Sequence, residues 1–273
     1  MDKSIKKVAI CAAKKAGKIL LKEYKSFDRG KVELKAHHEI LTRADLLSEE
    51  IIIKEIKKSF PYHQILSEEA GKMGAKIEKN REVVAGGTPA LTDYLWIVDP
   101  LDGTTNFSIH NPLWSISIGV AYQEEIIFGI IYAPVLDELY IAEKGRRSKL
   151  NGRMIGVSKT EKGKIINTFC HGREEKYVRK AIKYYSYQKL HELDCRQLGS
   201  AAIELGFVAA GRTESIVIPG ANSWDVAAGV ILVREAGGKV TDFFGKEWNL
   251  DSTDIVASNG KVHGSILEIV RGK

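Results

Sequence analysis

The segment Leu95-Trp96-Ile97-Val98-Asp99-Pro100-Leu101-Asp102-Gly103-Thr104-Thr105-Asn106-Phe107 constrains this chain more than any other. An apolar, β-branched run of the kind that forms a strand ends directly in two aspartates three positions apart. Carboxylates delivered to the end of a buried strand are costly unless something positive lies between them. Hard oxygen ligands of this type suit Mg²⁺ or Mn²⁺. Gly103 lets backbone approach a ligand closely. A helix opening at Thr104 would aim its free N–H groups and dipole at a phosphate beside the metal. An isolated Asp-Pro-x-Asp-Gly reads equally as a strand closing in an Asp-capped turn, and the full string weighs against that reading.

Three further stretches carry acids at element ends. Ile65-Leu66-Ser67 is a short apolar strand that delivers Glu68, followed by Glu69, much as the first strand delivers Asp99. In Ser223-Trp224-Asp225-Val226-Ala227-Ala228-Gly229, Asp225 falls in a first helical turn, where the dipole favours a negative charge. The small residues behind it permit close helix packing. In Leu41-Thr42-Arg43-Ala44-Asp45, Thr42 reads as an N-cap and Asp45 as its N3 partner, a variant of the capping box. Each acid also reads, taken alone, as surface or cap.

Around these stretches the apolar spacing predicts an amphipathic helix over residues 3–25 and a second over 44–59, with Glu50 and Lys54 paired at i, i+4. Residues 64–67, 95–98, 115–122, 126–132 and 138–142 read as strands, the last three forming a meander. The middle block therefore favours antiparallel sheet. Residues 174–187, 200–210 and 225–236 read as helices, the last with Ser223 as N-cap and Gly237-Gly238 as its stop. Late strands fall at 239–241 and 254–257. The polar segment 71–93, with Gly86, Gly87 and Pro89, reads as a long loop or lid. The chain is expected to be one domain over 1–273, with an α+β half over 1–145 that holds the metal site and an α/β half over 146–273.

Composition excludes several classes. Of the 273 residues 44% are hydrophobic and 28% charged, which is globular and not disordered. The net charge of +6 is spread along the chain, unlike a nucleic-acid arm or a polybasic membrane tail. The longest apolar stretch, 126–135, is about half of what a membrane span needs. Lys14, Lys15 and Lys18 interrupt the N-terminal apolar run, so no secretory leader is expected. Three cysteines at unrelated spacings, Cys11, Cys170 and Cys195, argue against a disulfide framework or zinc site and for a reducing cytoplasm. His37-His38 reads as a solvated loop, and Cys170-His171 as poor geometry for a nucleophile and base. Tyr94, Phe107 and Trp114 read as core. The basic helix surface 179–189 reads as solvated charge, so no nucleic-acid or membrane partner is expected.

Together the motifs resemble the inositol monophosphatase family of Mg²⁺-dependent, lithium-sensitive phosphatases, over essentially the whole chain. The strings Asp99-Pro100-Leu101-Asp102-Gly103-Thr104-Thr105-Asn106-Phe107 and Trp224-Asp225-Val226-Ala227-Ala228-Gly229 are the family's two signatures. The resemblance implies an α+β fold, a layered αβαβα sandwich of the inositol monophosphatase and fructose-1,6-bisphosphatase type. It implies metal ligation by Glu68, Asp99, Asp102 and Asp225 through carboxylates and by Leu101 through its carbonyl, holding two or three Mg²⁺ ions, with Mn²⁺ an alternative. Asp45 and Thr104 would activate the attacking water with Glu68. Gly103 and Thr104 would hold phosphate, with Gly199, Ser200, Ala201 and Asp225 beside the substrate.

The implied reaction is hydrolysis of a small phosphate monoester, with inositol 1-phosphate leading and fructose 1,6-bisphosphate and 3′-phosphoadenosine 5′-phosphate open. A homodimer and lithium inhibition are also implied. A regulatory binding protein that retains the fold is the alternative of a different class. The chain departs from the family pattern twice. Ile218 stands where the animal enzymes place a hydroxyl-binding glutamate, which predicts a permissive leaving-group pocket. The spacer of 31 positions from Glu68 to Asp99 is longer than theirs.

Overall fold

Ile5, Ala9, Ala12, Ala13, Ala16 and Leu20 form one fully buried stripe along α1 (Lys3–Lys25), and the intervening lysines face outward. The computed structural model describes residues 3–28, 33–34, 40–73 and 93–272. After α1 come β1 (Glu33–Leu34), β2 (Ile40–Leu41), α2 (Arg43–Ser59), β3 (Gln64–Ser67), β4 (Gly71–Met73), β5 (Tyr94–Asp102) and α3 (Thr104–Ser108). The meander follows as β6 (Ser115–Tyr122), β7 (Glu125–Ala133), β8 (Glu138–Glu143), β9 (Arg146–Leu150) and β10 (Arg153–Met154). Then come β11 (Ile166–Phe169), α4 (Glu175–Leu190), β12 (Asp194–Arg196), α5 (Ala201–Ala209) and β13 (Ser215–Pro219). The last elements are α6 (Ser223–Glu235), β14 (Lys239–Thr241), β15 (Asp254–Ser258) and α7 (His263–Arg271).

Eight strands form one sheet in the order β10-β9-β8-β7-β6-β5-β3-β4, antiparallel except where β3 runs parallel to β5. Five form a second sheet, β12-β11-β13-β15-β14, with β11 parallel to both β12 and β13. Strand alternation assigns the faces. Trp96 and Val98 of β5 pack toward α1 and α2, whereas Ile97 between them packs toward α5 and α6. Ile216 and Ile218 of β13 also face α5 and α6, whereas Val217 faces α4 and α7. The order of layers is therefore helix, sheet, helix, sheet, helix, the α+β sandwich that the resemblance implied.

The middle helical layer is tight because it is made of small residues. Gly119 of β6 pairs with Gly129 of β7 across the sheet, and α6 lies over both. A Cβ at Gly129 would stand 2.6 Å from Ile231 Cγ2 and 2.7 Å from the Ala228 carbonyl oxygen. On its other side Gly229 meets Leu205 of α5.

Several expectations are extended or corrected. The meander does not stop at residue 142 but runs on through β9 and β10, whose exposed, charged sequence Arg146–Leu150 carries no apolar alternation. Strands β11, β12 and β13 and helix α7 are additions to the expected elements. β13 is a five-residue run buried along its whole length, for which periodicity gives no signal. The start of the segment read as loop, Gly71–Met73, is a strand on the sheet edge. The rest of that segment, 74–92, and His37-His38 lie outside the described residues. The N-cap of α6 is Asn222 and not Ser223, which is the first helical residue. Tyr94, Phe107 and Trp114 all pack in or against the core. The three cysteines are unpaired, and no described helix is long and apolar enough to cross a membrane.

The contact between α6 and the sheet is a testable constraint on the helix that carries Asp225. Gly129→Ala is expected to lower the unfolding free energy by about 1–3 kcal/mol, because neither the Ala228 backbone nor the strand can give way cheaply. Urea denaturation measures it, and a midpoint equal to wild type would show that α6 is not held at this contact.

Candidate functional site

Asp99 and Asp102 are three residues apart, so a regular strand would point them to opposite faces. The strand is not regular there. Asp99 pairs with Ser117 and Asp102 with Ser115, so three steps along β5 match two along β6. Ser115 and Ser117 share a face of β6, and cross-strand partners share a face. The extra residue of this bulge therefore turns both aspartates to one side. Pro100, which cannot donate to a ladder, sits within the bulge, and its carbonyl accepts a hydrogen bond from Ser48 Oγ of α2 at 2.6 Å.

Glu68 arrives from the neighbouring strand. Its N–H donates to Val98 O at 3.2 Å, which extends the parallel pairing of β3 with β5 by one step and sets Glu68 beside Asp99. The turn that presents it is held by Glu49 of α2. Oε1 of Glu49 accepts from Ser67 Oγ, from the Ala70 N–H at 3.0 Å and from the Glu69 N–H at 3.2 Å.

Asp45 uses one oxygen to complete the helix cap and turns the other toward Thr104. Its Oδ2 accepts from the Thr42 N–H at 2.8 Å and from Thr42 Oγ1 at 2.6 Å, completing the capping box of α2. Its Oδ1 lies 3.0 Å from Thr104 Oγ1, which is also 3.0 Å from the Leu101 carbonyl oxygen. Gly103, in the left-handed conformation at φ 91°, turns the chain into α3, which opens at Thr104.

Asp102 reaches across to α5. Its Oδ1 accepts from the Ala201 N–H at 3.1 Å, and its Oδ2 from the Ala202 N–H at 3.1 Å, Ser115 Oγ at 3.3 Å and Ser200 Oγ. Ser200 and Ala201, expected beside the substrate, thus bond Asp102, and Gly199 is the residue immediately before them. Asp225, the third residue of α6, accepts from the Asn222 N–H at 2.8 Å through Oδ2. Ile218 is 2% exposed and packs in the core on the α5 and α6 side of β13.

The electrostatics are those of anions brought together. Burial, together with the charges of Glu68, Asp102 and Asp225, drives the Asp99 carboxyl far above the usual range, against the lowering hydrogen bond from the Leu101 N–H. Burial raises Asp102 to about 6, opposed by its bonds to Ser200, Ala202, Ala201 and Ser115. Desolvation raises Asp225 to about 7; the Asn222 N–H opposes this, the Asp102 charge adds to it and the Arg173 charge lowers it. Asp45 rises to about 6, chiefly by burial.

Such a group is chemically suited to a hard divalent cation, whose charge would reverse these shifts. Ser117, opposite Asp99, adds a buried hydroxyl without a hydrogen-bond partner among the described residues. Carboxylates, a backbone carbonyl and this hydroxyl are the oxygen donors that such an ion takes, so the residues present fit it. Asp102 commits both oxygens to α5 and its neighbours. Among the described residues, no three His, Cys, Asp or Glu side chains close into a single ligand cluster.

The sequence reading did not single out Ser48, Glu49 or Glu204 and gave Asn106 no role. Two of these were findable. Residues 45, 48 and 49 lie on one face of a helix, and that face is polar where its neighbours are apolar.

The family profile described as the inositol monophosphatase family matches residues 1–273. The chain belongs to that family. It is 34% identical over 275 residues to an inositol-1-monophosphatase of Mesorhizobium japonicum, with 97% of this chain and 95% of that protein covered. It is 35% identical over 266 residues to the Nus factor SuhB of Escherichia coli strain K12, with 97% and 94% covered. Among solved structures, an IMPase of Thermotoga maritima superposes with a TM-score of 0.84 at 33% identity, covering 99% of this chain and 97% of that one. The extragenic suppressor protein SuhB of Bartonella henselae gives 0.86 at 30% identity, covering 98% and 99%.

Removing the Glu49 carboxylate tests the support beneath Glu68. Glu49→Ala leaves the Ser67 hydroxyl and two turn N–H groups without their acceptor and is expected to cost about 2 kcal/mol or more of stability in urea denaturation. Unchanged stability would show that the turn holds itself.

Proposed function

We propose that this chain is a Mg²⁺-dependent phosphoric monoester hydrolase whose leading substrate is inositol 1-phosphate. The observation that carries the reading is the contact of Thr104 Oγ1 with Asp45 Oδ1 at 3.0 Å, directly beside the Leu101 carbonyl and the bulge that faces Asp99 and Asp102 the same way. Glu68, Asp99, Asp102, Asp225 and the Leu101 carbonyl are the residues that would hold two or three ions. Bound there, Mg²⁺ supplies neutralisation of the phosphate charge and acidification of water.

The chain's own residues do the rest. Thr104 Oγ1, donating its proton to Asp45 Oδ1, turns a lone pair to the attacking water and takes the water's proton. Asp45, raised to about 6 by burial, is ionised at neutral pH and more basic than an ordinary aspartate, as a proton acceptor at that pH should be. Glu68 orients the same water from the β3 side. N–H groups of the Gly103–Thr104 turn bind phosphate oxygens. Gly199, Ser200, Ala201 and Asp225 border the leaving group.

Ile218 packs in the core, so position 218 brings no hydroxyl acceptor to the leaving group, and the leaving-group pocket is permissive on this reading. Inositol 1-phosphate, fructose 1,6-bisphosphate and 3′-phosphoadenosine 5′-phosphate would then differ by no more than about a hundredfold in kcat/KM. A cytoplasmic, homodimeric and lithium-inhibited enzyme completes the proposal. The SuhB relatives, named as Nus factors, favour a second reading in which the chain acts through a macromolecular partner.

Phosphate release from these three substrates, with and without Mg²⁺, separates the two readings. Release that requires Mg²⁺ and falls more than about tenfold in Asp99→Asn supports the enzyme. A wild-type protein that releases no phosphate from any of them supports the partner reading. Thr104→Ala is expected to lower kcat far more than it raises KM, since its proton relay matters in the transition state while its N–H still holds phosphate. A change confined to KM would remove Thr104 from water activation.

A further inference from the structure

Glu204 lies in the first turn of α5 and is fully buried. Its Oε1 accepts three hydrogen bonds: from the Leu198 N–H at 3.0 Å, the Gly199 N–H at 3.1 Å and the Cys170 thiol at 3.1 Å. A buried acid is costly. What it supplies here is an acceptor for two N–H groups of a tight turn, those of the half-buried Leu198 and of Gly199.

The same turn is gripped from the opposite side. Asn106, in the helix that follows Gly103, donates through Nδ2 to Leu198 O at 2.8 Å and to Leu113 O at 2.6 Å. One residue on, Gly199 adopts φ 83°, and a Cβ there would stand 3.1 Å from Asn106 Nδ2. The Gly199 carbonyl oxygen in turn lies against Gly103, where an added Cβ would be 3.2 Å from it. The two left-handed glycine turns are thus packed against each other. Immediately after the second, Ser200 Oγ and the N–H groups of Ala201 and Ala202 reach Asp102.

We propose that Glu204 is a positioning residue for this site. By holding the Leu198–Gly199 turn as a hydrogen-bond acceptor, it seats Gly199 against Gly103 and aims Ser200 and the start of α5 at Asp102. The acceptor matters, and the charge does not. Glu204 touches neither substrate nor metal and acts only through the backbone it holds. Its kinetic consequence rests on the phosphatase reading above, whereas the clamp itself does not.

Two variants separate the acceptor from the volume. Glu204→Gln keeps an oxygen of the same reach, and Glu204→Leu fills the space with none. Hydrogen exchange at the Leu198 and Gly199 amides is expected to be slow in wild type and in Glu204→Gln, and at least about tenfold faster in Glu204→Leu. With Mg²⁺ and inositol 1-phosphate, kcat is expected to fall about tenfold or more in Glu204→Leu, with KM within about threefold, and to stay within about threefold of wild type in Glu204→Gln.

Equal exchange in all three proteins overturns the proposal. So does Glu204→Gln as impaired as Glu204→Leu, or a loss of melting temperature in Glu204→Leu with kcat unchanged. If Glu204→Leu does not fold, the wild-type amides decide alone, and exchange at the rate of an exposed turn overturns the clamp. If wild type releases no phosphate from any substrate, the phosphatase reading fails, and the exchange measurement still decides whether Glu204 holds the turn.

Discussion

Carboxylates that share a face of a buried strand end repel one another, and most of the surrounding structure answers that repulsion. The bulge at Pro100 puts Asp99 and Asp102 on the same side, and Glu68 joins them from β3. In water such a group would separate or take up protons. Here the strands are fixed by the sheet, and burial first, with neighbouring carboxylate charge adding to it at Asp99 and Asp225, holds these carboxyl groups above their ordinary range.

Helix N-termini supply part of the compensating potential. Asp45 and Asp225 close the capping boxes of α2 and α6 from the third helical position, and Asp102 accepts from the first N–H groups of α5 from a different part of the chain. Three of the acids are thus bound to the positive ends of three helices, each an arrangement that favours the ionised form. The helices converge because α5 and α6 form the layer between the sheets and α2 covers the opposite face of the larger sheet. Small residues make the convergence close: Gly119 and Gly129 let α6 down onto the strands, and Gly229 lets it approach α5. Packing and electrostatics therefore act on the same elements.

A further set of polar groups holds the acids without belonging to them. Ser48 fixes the Pro100 carbonyl, Glu49 the turn after β3, and Asn106 the peptide before Gly199. All are buried, and all bond backbone atoms that are distant in sequence. A polar helix face can mark such a residue, but its distant partner leaves no local pattern. Ser48 and Glu49 share a helix face with Asp45, but nothing in the chain says that the face meets the bulge in β5. Glu204, four residues after Ser200, is equally silent.

The sequence by itself determined the elements whose pattern is local: α1 and α2 from apolar spacing, the capping box at Thr42 and Asp45, the strand ending in Asp99, and α6 with its small-residue run. It also determined the acids, because a strand that ends in carboxylates needs a counter-charge wherever it lies. Tertiary structure alone decided that β13 is a central strand, since a short run buried on both faces has no period to read. It alone decided that Asp102 also accepts from the start of α5, a contact between residues 102 and 201 made by the stacking of the two sheets. It moved Ile218 from an expected pocket wall into the core, because alternation along β13 turns that side chain toward α5 and α6. Local order follows from periods of two and 3.6 residues, which neighbours in sequence can express. The site is built where elements distant in sequence meet, and that meeting is fixed by packing.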